Sequence, residues 1–448
     1  MSAKDVTIGI DIGTTSVKAV AADADGRVTA RARIPHALRV PSADRFEHDA
    51  DEAWRRGPLA ALDALHGSDA AAVAVTAMVP SLTAVDTDGA PRTPGLLYGD
   101  ERGRSASGQP DSRFLSGEAV EFLRWTAGER PGAPGYWPAA AVANHALAGA
   151  AVIDNATAST MYPLFDGAGW SETVCADCGV TPDQLPAVEA SGAAVGTVRA
   201  GGAVLGAGAV DAVCEQVVAG ADRDGDVLVL CGTTLIVWVT IPQYREVAGL
   251  WTLPHTAPGK CQIGGPSNAG GLFLGWVDRV VAPGEAADPR RVPVWQPYLR
   301  GERVPYHEPA RRGVLDGLDL THDGAAIRRA GFEASAFVVR QLIEMSGAPA
   351  SRIVATGGGT RVGPWMQAIA DATGLPVEVS AVAEGAALGS AFLARMAAGL
   401  ESSLTDAARW AATERVVEPD PAWTSAVADR YGRFLELSAS PPRRSSGR

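Results

Sequence analysis

The chain has 448 residues, more than one hydrophobic core usually organises, so two domains are expected. Its composition, 46% hydrophobic and 20% charged, is that of a globular protein, and a formal net charge of −12 argues against a general nucleic-acid binder and against docking on anionic membranes. No apolar run is long enough to span a bilayer and the N-terminus lacks a signal-peptide core, so a cytoplasmic protein is expected.

The first informative stretch is Ile8-Gly9-Ile10-Asp11-Ile12-Gly13-Thr14-Thr15-Ser16-Val17-Lys18. An apolar run ends at one carboxylate, turns through a glycine and two hydroxyls, and resumes. This predicts strand, tight turn, strand. Gly13 lets the backbone approach a ligand, and the turn N–H groups with the Thr14 and Thr15 hydroxyls can donate to phosphate oxygens. Asp11 is placed to offer a hard cation an oxygen ligand through water. An ordinary hairpin with a polar turn would read the same way.

Residues 6–10, 17–22 and 28–34 predict three antiparallel strands, with Asp25-Gly26 as a turn signal. Asp49 then caps an expected helix to about Leu65, with Trp54, Leu59, Leu62 and Leu65 on one face. Residues 71–76 predict a buried strand, 99–117 a surface loop, 138–150 a helix and 195–204 an edge strand. Cys175-Ala-Asp-Cys178 has the spacing of half a zinc site or of a redox pair, but no second pair or nearby histidine pair completes it, and the five cysteines are read as reduced thiols.

The second half echoes the first. The polar stretch 222–226 is the candidate hinge, followed by Leu228-Val229-Leu230-Cys231-Gly232-Thr233-Thr234 and a further apolar run. Residues 264–271 predict a loop entering a helix through Trp276, and 325–345 a long helix. A strand over 352–355 leads into Thr356-Gly357-Gly358-Gly359-Thr360, then a helix from about Pro364 whose dipole could meet an anion. Three glycines leave no Cβ to obstruct a flat ligand, although plain loops also contain such triplets. Neither a Walker-type loop nor a Gly-x-Gly-x-x-Gly opening a helix is present.

With both turns and the triple glycine in that order, the chain resembles the actin, Hsp70 and sugar-kinase superfamily, and within it the FGGY carbohydrate kinases, xylulokinase-like members above all. The resemblance runs from about residue 6 to 400. Its most specific blocks are Pro297-Tyr-Leu-Arg-Gly-Glu-Arg-Val-Pro305, Glu308-Pro-Ala-Arg-Arg-Gly313, Gly265-Pro-Ser-Asn-Ala-Gly-Gly271, Ala355-Thr-Gly-Gly-Gly-Thr-Arg361 and Glu384-Gly-Ala-Ala-Leu-Gly-Ser-Ala391. Actins and chaperones lack the Gly-Glu-Arg-x-Pro block. The resemblance implies an α/β fold of two ribonuclease-H-like, actin-like ATPase domains facing a central cleft. Residues 1–222 would form the sugar-binding domain, 223–437 the ATP-binding domain, and 438–448 a disordered tail.

It further implies an ATP- and Mg²⁺-dependent kinase acting on a small sugar or polyol, a pentulose such as xylulose or ribulose foremost. Rivals are a kinase for a tetritol or gluconate, and a non-catalytic nucleotide-dependent sugar binder. Asp211, in Gly208-Ala-Val-Asp-Ala212, takes the place of the family's catalytic base; a helix N-cap is the alternative. Asp11 would hold Mg²⁺ through water. Thr14, Thr15, Lys18, Gly232, Thr233, Gly271, Gly358 and Gly359 would contact the nucleotide, with Lys18 otherwise a solvated strand residue.

On the sugar side stand Met78, Val79, Pro80, Asp100 and Asp211. Many xylulose kinases of this group carry Gln-Met-His-Gly before the strand at 82–86, whereas Pro80 here stands in the histidine's place. Glycerol kinases carry Arg-Glu where Val79 and Pro80 stand, which disfavours glycerol. Leu97-Tyr-Gly-Asp-Glu-Arg102 is similar to the family's Trp/Tyr-x-Asp-x-Arg. There Asp100 binds sugar hydroxyls or is structural, and Arg102 braces the loop. The segment 108–138 is expected to lack the family's usual helix. A homodimer is left open.

Overall fold

The computed structural model describes residues 5–42, 44–66, 69–103, 118–284, 287–382 and 384–439. Most of the expected surface loop at 99–117 and of the tail at 438–448 lies outside these residues; Ser438 and Ala439 end the last helix. The chain divides into two α/β units, one formed by Met1–Val218 with Glu384–Trp410, the other by Ala219–Ala383 with Ala411–Arg448.

In the first unit a six-stranded sheet runs in the order Ala194–Thr197, Val204–Gly206, Ala72–Ala77, Thr7–Ile12, Ser16–Ala22, Val28–Pro35. The last three form the expected antiparallel meander, while Ala72–Ala77 lies parallel to Thr7–Ile12. Two strands replace the single one expected over 195–204, because Gly201 and Gly202, both at positive φ, reverse the chain between them. After Asp49, whose Oδ1 accepts from the Glu52 N–H at 3.1 Å, a π-helical turn Asp51–Arg56 continues as helix Gly57–Ala64. Trp54, Leu62 and Leu65 are buried there, but Leu59 is 40% exposed. Five residues beyond Trp54, at 3.6 residues per turn, it falls on the outer flank.

A four-stranded sheet, in the order Glu47–His48, Gly95–Leu97, Ser81–Val85, Gly135–Trp137, completes the strands around the site. The expectation of no helix over 108–138 is corrected by Glu118–Glu129, which buries Phe122 and Leu123.

The division of the chain differs from that expected at 222. Helix Gly385–Ala397 packs on the first unit's sheet, not in the second unit. The contact is backbone-close: a Cβ on Gly9 would lie 1.8 Å from the Ala387 carbonyl oxygen, and Thr7 Oγ1 donates to the Ala391 carbonyl at 2.9 Å. Glycine at position 9 is what lets helix and strand meet.

The second unit is built on a seven-stranded sheet, ordered Trp251–Pro254, Cys261–Ser267, Leu235–Ile241, Asp226–Cys231, Arg352–Thr356, Val377–Ser380, Thr413–Val417. Helices Gly271–Val280, Gly324–Ser346, Gly363–Thr373 and Pro421–Ala439 belong to it. Residues 264–267, expected in a loop, are strand. A Cβ on Gly264 would sit 2.1 Å from the Val237 carbonyl, so glycine here serves close strand approach rather than a turn. No helix among the described residues is long and apolar enough to cross a membrane.

Candidate active site

Two parallel strands of the first unit, Thr7–Ile12 and Ala72–Ala77, end side by side, while the third, Val204–Gly206, ends level with Ala74 and its chain returns to Ala77 at Val210. Each then leaves the sheet into a segment singled out from sequence: Gly13-Thr14-Thr15, Met78-Val79-Pro80 and the approach to Asp211. The Met78 N–H donates to the Ile12 carbonyl at 3.3 Å, and Val210 bridges Ala77. Strand topology thus gathers Asp11, both threonines, residues 78–80 and Asp211 at one sheet edge, the carboxyl ends where open α/β sheets bind ligands.

Asp11, 5% exposed, pairs across the hairpin with Lys18, Nζ to Oδ2 3.1 Å. The Asp11 carboxylate, with Glu215 and Glu384 further off, holds the Lys18 ammonium above its ordinary pKa against the opposing effect of burial. Lys18 is thus partnered, not a solvated strand residue. On the other side of Asp11 in the register lies Thr76, whose Oγ1 donates to the Ala209 carbonyl at 2.6 Å. That bond ties the segment before Asp211 to the sheet.

Asp211 opens helix Asp211–Ala219 half-buried, and its Oδ1 accepts from the Ala212 N–H at 2.7 Å. Asp211 is thus the first residue of the helix, with Val210 before it accepting from the Cys214 N–H at 2.9 Å, so the capping position falls to Val210 and the Asp211 carboxylate stands at the helix start. One turn on, the Cys214 carbonyl would lie 1.9 Å from a Cβ on Gly389, so helix Gly385–Ala397 sets the position of the Asp211 helix.

The first turn is closed by Gly13 N–H to Ser16 O at 3.1 Å. Thr15 is exposed, and the half-buried Thr14 hydroxyl lies 2.9 Å from the Tyr98 hydroxyl. Behind it, fully buried His48 approaches the Thr14 carbonyl through Nε2 at 2.8 Å and takes the Trp54 indole N–H on Nδ1 at 2.9 Å. Burial, with the His36 ring beside it, pushes His48 down to about 4. Tyr98 was the aromatic of the Trp/Tyr-x-Asp-x-Arg block, whereas His48 was not singled out from sequence; one histidine in a two-residue strand carries no periodic signal.

Two sugar-side expectations need correction. Met78 is buried in the core, leaving the backbone and the half-buried Val79 and Pro80 at the strand end. Asp100 is fully buried: Oδ1 accepts from the Arg102 N–H and Nε, both at 2.8 Å, and Oδ2 from the Phe46 N–H at 2.6 Å and Arg102 Nη2 at 2.7 Å. Its oxygens are committed to the protein and do not reach for a sugar. Arg102 braces the segment, as expected, also pairing with Glu47 at 2.8 Å and lying 4.7 Å over the Trp125 ring.

In the second unit the echoing turn Gly232-Thr233-Thr234 joins Asp226–Cys231 to Leu235–Ile241. Helix Gly271–Val280 starts against it, Gly271 N–H to Gly232 O 2.8 Å and Leu272 N–H to Thr233 O 3.0 Å. A Cβ at Gly271 would lie 2.7 Å from the Gly232 carbonyl, so this glycine is needed for packing on the turn. The three glycines differ in the same way. Gly357, at φ +93°, and Gly359 crowd Cys231, and Gly359 also the Trp365 ring, whereas a Cβ on Gly358 would meet nothing.

Glu302, from the Gly-Glu-Arg block, is buried. It accepts from the Ser267 hydroxyl at 2.8 Å, the Asn268 N–H at 3.0 Å and the Arg303 N–H at 2.6 Å, while burial raises it to about 7. It anchors the residues between strand Cys261–Ser267 and helix Gly271–Val280, a role the sequence motif did not disclose. Among the described residues no group of three or more His, Cys, Asp or Glu is placed to hold a metal. Cys175 and Cys178 are buried, and burial pushes the Cys175 thiol up to about 11.

Comparison with known proteins gives this geometry a context. The profile of the FGGY family of carbohydrate kinases, N-terminal domain, matches residues 6–108, and that of the C-terminal domain residues 227–398, together more than half of the chain. A gluconokinase of Bacillus licheniformis is 25% identical, over 88% of this chain and 87% of its own length. A xylulose kinase of Escherichia coli (strain K12) is 26% identical, over 96% of this chain and 98% of its own. The crystal structure of xylulose kinase from Rhodospirillum rubrum superposes with a TM-score of 0.77 at 25% identity, covering 97% and 98% of the two chains.

Proposed function

The chain belongs to the FGGY family of carbohydrate kinases, phosphotransferases with an alcohol acceptor, and from that premise we propose that it passes the γ-phosphoryl of ATP to a primary hydroxyl of a pentulose such as xylulose or ribulose. The observation that carries the reading is the meeting, at one sheet edge, of a half-buried carboxylate, Asp211, with a hydroxyl-bearing glycine turn.

A sugar hydroxyl is a poor nucleophile. Asp211 takes its proton as the phosphoryl group leaves ATP, and the alkoxide character that develops attacks phosphorus in line. Each unit offers its own glycine turn to phosphate oxygens, the first through the Thr14 and Thr15 hydroxyls and the second through Thr233, with the backbone N–H groups of each turn. Gly358 leaves room for the flat part of the nucleotide. Lys18 acts through Asp11, holding the carboxylate in place across the hairpin.

Mg²⁺ would spread the triphosphate's charge. Asp11 is one oxygen donor at the sheet end, and the lack of a ready multi-carboxylate cage among the described residues fits an ion that keeps its waters and arrives with the phosphates.

A neutral ketose is favoured over a sugar acid because Lys18 and Arg102, cations on the segments around the first turn, are both held by carboxylates. Gluconate is the second reading, since a gluconokinase is among the relatives at similar identity. Measuring ATP consumption across pentuloses, tetritols, hexonates and glycerol tests both. Turnover is expected with a pentulose, and stimulation by a hexonate alone selects the second reading. Nucleotide binding with no stimulation by any acceptor refutes the kinase assignment.

A further inference from the structure

We infer that His48 is a positioning residue for nucleotide binding: it fixes the Thr14 peptide so that the first turn presents N–H groups and hydroxyls, and not carbonyls, to phosphate. The inference rests on reading that turn as a phosphate site.

The Trp54 indole can only donate. Its Nε1–H points at His48 Nδ1, 2.9 Å away, so Nδ1 must offer its lone pair. The ring proton then resides on Nε2 and is donated to the Thr14 carbonyl at 2.8 Å. The next carbonyl, Thr15 O, is taken by the His36 backbone N–H at 3.1 Å. Two successive acceptors of the turn are thus engaged by protein donors. A carbonyl freed to rotate toward a phosphate would place oxygen against oxygen. Tyr98 fixes the remaining rotor through the Thr14 hydroxyl.

The groups that face this histidine are few. The His36 ring stands edge-on at 4.5 Å, and Glu52 acts on His36. Full burial keeps the His48 imidazole neutral near pH 7, the state its two bonds require.

Titration calorimetry with ADP in Mg²⁺, beside thermal melts, tests the inference. Folded His48→Phe, which keeps a ring but has no donor, is expected to bind ADP about tenfold more weakly, the worth of one buried hydrogen bond. His48→Gln, whose amide supplies one donor and one acceptor, is expected to recover most of that loss. A folded His48→Phe protein that binds ADP as tightly as wild type overturns the inference, even if its melting temperature falls. Should His48→Phe not fold, Trp54→Phe removes the donor that selects the tautomer. A partial loss of affinity is expected there, and unchanged affinity counts against the role. A Thr14→Val/Thr15→Val protein separates the two levels. If it too binds ADP normally, the phosphate-turn reading falls; if it binds weakly while His48 variants bind normally, only the positioning role falls.

Discussion

Lys18 Nζ lies 3.1 Å from Asp11 Oδ2, directly across the hairpin whose turn carries Thr14 and Thr15. The ammonium is one-third exposed and the carboxylate is buried, so the lysine's main partner is protein and not solvent. Lys18→Met should therefore lower stability by roughly 1–2 kcal/mol, less than for a fully buried pair because solvent screens the lysine. Urea midpoints check this. A lysine whose sole task was to touch phosphate would instead leave the midpoint unchanged.

Asp211→Asn should lower kcat by about 10²–10⁴ while ADP affinity stays within about threefold of wild type. The carboxamide oxygen can still accept from the Ala212 N–H, so that bond at the helix start is kept while the proton acceptor is lost. Steady-state kinetics with calorimetry on the same protein separate the two effects.

Gly358→Ala and Gly359→Ala should behave in opposite ways. A methyl at 358 meets no protein atom, so the melting temperature is expected to hold while nucleotide affinity falls about tenfold or more. At 359 the methyl would lie 2.3 Å from the Trp365 ring and 2.7 Å from the Cys231 carbonyl, so roughly 1–3 kcal/mol of stability is expected to go. Paired melts with and without ADP read out both.

His48 makes stability depend on acid. Its pKa is about 4 in the folded chain against an ordinary 6.5, so protons bind the unfolded chain more tightly. The neutral ring's contribution is complete above about pH 6.5 and is lost as pH falls toward 4, on the order of 3 kcal/mol in total. His36, also lowered by burial and beside it, acts in the same direction, and Glu52 opposes it. Urea midpoints between pH 4 and 7 should fall more steeply for wild type than for His48→Gln.

Much of this arrangement could be read from the chain itself. Apolar runs broken by Gly-Thr-Thr mark both hairpins because glycine and hydroxyls punctuate strands whatever surrounds them. Asp100 shows where such reading ends. Its saturation depends on the Phe46 N–H, 54 residues earlier, and no local pattern reports that pairing. Helix Glu118–Glu129 was missed because the segment before it, rich in glycine and serine, resembles a loop throughout. Gly264 and Gly265 read as loop residues by composition, yet they sit in a strand, where the Val237 backbone leaves no room for a Cβ at 264 and the Val304 side chain none at 265. Glu302 lay inside a recognised motif, but a motif names residues without saying which of them face inward.

Helix Gly385–Ala397 belongs to a sheet whose first strand is laid down near residue 7. During translation the ribosome must release some 380 further residues, six of the seven strands of the second unit's sheet among them, before Gly9 can be covered. The N-terminal unit therefore cannot finish folding in order of synthesis, and nascent chains stalled before residue 384 should expose that strand face to chaperones.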